Sequence, residues 1–124
     1  MTRDNVIQEK SYAFALRIIK LYKHLTVEKS ETILARQVLK SGTSIGANVE
    51  EALQAESRPD FIHKLSIANK EAHETRYWLM LLRDSEILTD DDATNSIIEQ
   101  CIELIKLLAS IINTSKNRNQ TSVP

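Results

Sequence analysis

Leu34, Val38, Ser41, Ile45, Asn48 and Ala52 recur at intervals of four, three, four, three and four. That is the seam of a helix packed against other helices, and it runs straight through Ser41-Gly42-Thr43-Ser44-Ile45-Gly46, a stretch that composition alone would assign to a loop. Small residues in a seam let a neighbouring helix approach closely. Ser41 and Asn48 put polar groups where aliphatic ones are expected, so they need hydrogen-bond partners.

The same spacing appears three more times. Ile7, Ser11, Phe14, Ile18, Leu21 and Leu25 form one seam. Phe61, Leu65, Ala68, Ala72, Thr75, Leu79 and Leu82 form another, and Ile97, Cys101, Leu104, Leu108 and Ile111 the last. Ser30 is a candidate N-cap for the second helix. Ser57-Arg58-Pro59-Asp60 reads as the start of the third, with a capping serine, a proline in the first turn and an acid near the positive helix end. Thr89-Asp90-Asp91-Asp92 marks the start of the fourth.

Only two glycines and two prolines occur in 124 residues, so tight turns are few and strands are not expected. The fold class is therefore all-α, an antiparallel up-down-up-down four-helix bundle over residues 1–114. Residues 115–124 are polar and aperiodic and are expected to form a disordered, flexible tail. One cysteine excludes an internal disulfide and fits a cytoplasmic protein. No apolar signal core follows Met1, and the longest apolar run, Trp78–Leu82, is far too short to span a membrane.

Two helices carry more apolar surface than one seam needs. Tyr12, Ile19 and Tyr22 make a second row on the first helix, and Ile98, Ile102, Ile105 and Ile112 a second row on the fourth. Surplus rows of this kind mark either a wide core or, on the sharper reading, an interface between copies of the chain. Arg36, Ser41, Ser44, Asn48, Glu51, Glu71, Glu74 and Tyr77 flank the middle seams and are expected to form a structural polar network.

Three stretches carry a family resemblance: Ser11-Tyr12-Ala13-Phe14-Ala15, the run Ser41 to Ala52, and the run Phe61 to Leu79. In these the chain resembles the 23S rRNA-intervening-sequence protein family, also called the four helix bundle protein family. The resemblance implies an antiparallel four-helix bundle that assembles as a homo-oligomeric ring, a pentamer, in a family for which no enzymatic activity is established. The family is similar in turn to the accessory variability protein of diversity-generating retroelements, a basic pentamer that binds nucleic acid and a reverse transcriptase.

Net charge is −1, but it is distributed unevenly: residues 1–29 carry +3 and residues 85–114 carry −5. Arg3, Lys10, Arg17 and His24 lie seven apart, with Lys20 and Lys23 beside them. This basic stripe is the candidate nucleic-acid contact, for RNA or DNA. Chemistry is otherwise scarce. There is no Glu-x-x-His, no phosphate-binding loop and no ligand spacing joining the three histidines to Cys101. No metal, cofactor or catalytic residue is therefore expected, and Cys101 is expected to be a buried structural thiol. Arg58 and His63 match the Arg-x4-His spacing of HEPN ribonucleases, so an RNA-cleaving enzyme is the alternative. A purely structural oligomer with a protein partner is the other.

Overall fold

A computed structural model describes the backbone of residues 3–121 and the side chains of residues 5–118. Four helices follow in order: α1 (Arg3–Lys23), α2 (Ile33–Leu53), α3 (Arg58–Asp84) and α4 (Asp92–Thr121). A π-helical turn, His24–Glu28, extends α1 and keeps Leu25 buried in register with the core.

Contacts between neighbouring helices fix their directions. Lys10 meets Glu103 and Arg17 meets Gln100 and Ser96, so α4 runs opposite to α1. Gln8 bonds Glu50 while Ile18 lies against Gly42, so α2 is also antiparallel to α1. Lys64 pairs with Glu51 and Thr75 with Ser41, and Cys101 reaches Ala72 while Arg83 reaches Asn95. Each helix thus packs on its neighbours in sequence, and α1 closes the ring on α4.

The helix ends follow local chemistry. Ser57, in an extended conformation, accepts a hydrogen bond from the Asp60 amide at 3.2 Å, with Pro59 in the first turn of α3. Asp91 accepts from the Thr94 amide at 2.9 Å at the start of α4, and that bond holds its carboxyl below the usual carboxylate range. Ser30 does not cap α2. It adopts a left-handed φ of 55° just after the π-helical turn, the helix begins at Ile33, and the Glu31 carboxylate accepts from the Leu34 amide at 2.6 Å instead. Helix α4 also continues beyond Thr114: Ser115 is buried and the helix reaches Thr121, while residues 122–124 of the expected tail lie outside the described residues.

The core contains the predicted seams with one systematic change. Ala35, Gly42 and Val49 are buried on α2, while Leu34 and Asn48 are only half-buried, so the inward face of this helix is rotated slightly from the sequence seam. Among the described residues, no helix is long and apolar enough to cross a membrane.

Candidate assembly face and basic groove

The outer surface of α1 carries Tyr12, Leu16 and Ile19, which are 66%, 49% and 37% exposed. At 100° per residue the three lie within about 60° of arc, so they form one apolar strip along the helix. Leu16 was not part of the sequence-predicted row; the period that would have found it is four residues from Tyr12 rather than seven. Tyr22, expected in the same row, is half-buried and packs against the core.

The second row on α4 has a different fate. Ile98 and Ile112 are 5% and 7% exposed within the single chain, so they belong to its own core. Ile102 and Ile105 are half-buried and pack against that core. The reason lies on α3, where Ala68 and Ala72 leave room for α4 to come close; Cys101 Sγ sits only 3.2 Å from the Ala72 carbonyl oxygen. A close helix pair covers more of each circumference, and Ile98 and Ile112 are covered with it.

The basic stripe is largely engaged inside the chain. Lys10 pairs with Glu103, and His24 Nδ1 lies 2.7 Å from a carboxylate oxygen of Glu28. The Arg17 guanidinium donates to Gln100 Oε1 at 2.8 Å, to Ser96 Oγ at 3.1 Å and to the Ala93 carbonyl at 3.3 Å. Lys20 and Lys23 are exposed and form no ion pair among the described residues. The Arg3 side chain lies outside the described residues. The basic end of the stripe borders an open groove of about 490 Å³ between α1, the π-helical turn and the start of α4. Arg17, Lys20, His24 and Lys29 line it together with Leu21, Leu88, Ile97 and Asp91.

The residues expected to form one polar network are distributed over separate contacts. Ser41 and Thr75 share a buried hydrogen bond at 2.9 Å across α2 and α3, and the Thr75 hydroxyl also lies 2.7 Å from the Glu71 carbonyl. Ser44 donates to the Lys40 carbonyl and Asn48 to the Ser44 carbonyl, both within α2. Glu51 pairs with Lys64 at 3.3 Å. The Glu71 carboxyl is pushed above the usual carboxylate range, first by burial and then by Glu74, with Lys40 opposing. Tyr77 stands edge-on to Trp78, and Arg36 and Glu74 are exposed.

Arg58 and His63 do not converge. Both are exposed, and five residues along one helix place them about 140° apart. Cys101 is fully buried, and the apolar surroundings push its thiol up to about 12. Among the described residues no cluster of three or more histidine, cysteine or carboxylate groups could hold a metal ion.

Taken together, the fold and its surface define a class: an antiparallel four-helix bundle with an exposed apolar strip on α1, further exposed apolar side chains at Val27, Ile33, Tyr77 and Leu81, and a basic groove. Residues 3–110 match the 23S rRNA-intervening sequence protein family, and the chain belongs to that family. It is similar to a crystal structure from Bacteroides thetaiotaomicron VPI-5482, described as a protein with unknown function from the S23 ribosomal protein family. That chain is 53% identical, with a TM-score of 0.87, and the alignment covers 90% of this chain and 99% of the other. Among curated proteins no sequence matches the chain.

Proposed function

We propose that the protein is a non-enzymatic accessory scaffold of the cytoplasm, working as a homo-oligomer whose subunits join through the outer face of α1. The observation that carries this reading is the strip of Tyr12, Leu16 and Ile19. Three large apolar side chains aligned on one helix face are unfavourable in water, and covering them lowers the free energy by about 25 cal/mol per Å² of apolar area. A ring, with five subunits as the family resemblance implies, would set the strip of one subunit against a different surface of the next.

The same reading gives nucleic acid a narrower role than the full basic stripe suggests. Lys10, Arg17 and His24 already have partners within the chain, which leaves Lys20 and Lys23 to meet an RNA or DNA backbone. A protein partner on the ring is the remaining role for a scaffold of this size.

Size-exclusion chromatography with light scattering tests the proposal directly, with absorbance read at nucleic-acid and protein wavelengths. The expected result is a mass near five chains. A monomer at micromolar concentration overturns the assembly reading, and an oligomer free of nucleic acid removes the RNA or DNA role while leaving assembly intact.

A further inference from the structure

The groove beside α1 sets three permanent positive charges, Arg17, Lys20 and Lys29, against one lining carboxylate, Asp91. Arg17 is anchored entirely by neutral acceptors: an amide, a hydroxyl and a backbone carbonyl. Lys20 and Lys29 line the same groove and take part in no ion pair among the described residues. Asp91 is the one carboxylate in the lining; its bond from the Thr94 amide keeps it ionised, so it offsets one of the three charges and leaves the lining net positive. Like charges brought together in excess of their counter-ions repel one another, and an anion entering among them relieves that repulsion.

The groove is not purely polar. Leu21, Leu88 and Ile97 supply an apolar floor, and Thr89 and Thr94 add hydroxyls at its edge. A volume of about 490 Å³ falls within the range of roughly 300–1,000 Å³ typical of small-molecule sites, which combine an apolar lining with a few convergent polar groups. The charge calls for a phosphate-like dianion, and the floor calls for an uncharged organic group attached to it.

We propose that this groove is a binding site for a small organic phosphate monoester, with Lys20 and Lys29 holding the phosphate, Arg17 adding its fixed positive charge from α4, and the Leu21–Leu88–Ile97 surface holding the organic part. The Arg17 guanidinium uses three of its donors on α4 and is held there as a positive charge at the side of the groove. The two lysines are exposed and close on the anion as flexible point charges. The site lies at the end of the bundle where α1 passes into the π-helical turn, so it is separate from the Tyr12–Leu16–Ile19 strip.

Isothermal titration calorimetry of the full chain at low salt tests the assignment with three probes: AMP, inorganic phosphate and adenosine. The expected order is AMP tightest, phosphate weaker and adenosine without measurable binding, with AMP affinity falling as salt rises. Lys20→Glu and Lys29→Glu each replace an exposed cation and should weaken AMP by roughly tenfold. Lys23→Glu changes net charge equally, but Lys23 does not line the groove, so that variant should bind AMP as the wild type does. Adenosine binding as tightly as AMP overturns the proposal, and so does an equal loss in all three variants. Light scattering on the same samples keeps this outcome apart from that of the assembly reading, because the groove variants should retain the wild-type mass.

Discussion

Two glycines four residues apart on α2 are under opposite constraints. A Cβ on Gly42 would lie 2.8 and 2.9 Å from the two γ-carbons of Ile18, a fully buried branched side chain that cannot swing aside. A Cβ on Gly46 would meet its nearest atom, the Ser11 carbonyl oxygen, at 3.5 Å, which is ordinary contact. Replacing glycine by alanine inside a helix gains about 1 kcal/mol from backbone entropy. Gly46→Ala should therefore stabilise the protein by about 0.5–1 kcal/mol. Gly42→Ala should destabilise it by about 1–2 kcal/mol because overpacking outweighs that gain. Urea unfolding of the two variants, read at one protein concentration, checks both signs. The Ser41–Thr75 contact is the other residue-scale anchor. Thr75→Val leaves the Ser41 hydroxyl buried without its cross-helix partner, a cost of about 1–3 kcal/mol. Adding Ser41→Ala should restore part of it, and a double mutant no better than the single variant would show that the pair is not coupled.

At the scale of helices, the seams were legible because burial on one face forces a period near 3.6, and every fully apolar seam position of α4 is indeed buried. The second row of α4 divides because its covering depends on another helix: Ala68 and Ala72 on α3 bring α4 close enough to bury Ile98 and Ile112, while Ile102 and Ile105 stay half-buried. The start of α2 was misplaced for a similar reason. Ser30 is a good capping residue by type, but the π-helical turn before it takes the chain into a left-handed conformation there. For the candidate site, the positive charges of α1 were visible in the sequence; their neutral partners on α4, some 80 positions away, were not. The close α3–α4 contact also has a pH signature. Cys101 keeps its proton up to about 12 in the folded state, whereas an ordinary thiol such as that of the unfolded chain titrates near 9.0. Between those values the folded state binds more protons than the unfolded one, so this group removes stability as pH rises from about 9 towards 12 and contributes no slope below that window. Cys101→Ala should unfold with a shallower loss of stability above pH 9 than the wild type, whatever its cost at neutral pH; parallel curves for the two proteins would refute the linkage.

For the molecule as a whole, the question is what the α1 strip does when the chain is alone. The core is complete without it: Ile7, Phe14, Ile18 and Leu25 already supply the inward face of α1 and its extension. Leu16 is 49% exposed and contributes little to that core, so a charge there should leave the subunit folded. In an assembly joined through the strip, however, the same charge would be buried without a partner. Leu16→Glu should therefore lower the mass seen by light scattering to that of one chain, while the isolated subunit loses no more than about 0.5 kcal/mol, the usual range for surface substitutions. Thermal unfolding separates the two effects. If folding and assembly are linked, the wild-type Tm rises with protein concentration, and in Leu16→Glu it does not. A wild-type Tm independent of concentration, together with an unchanged mass for Leu16→Glu, would show that the strip is only exposed surface.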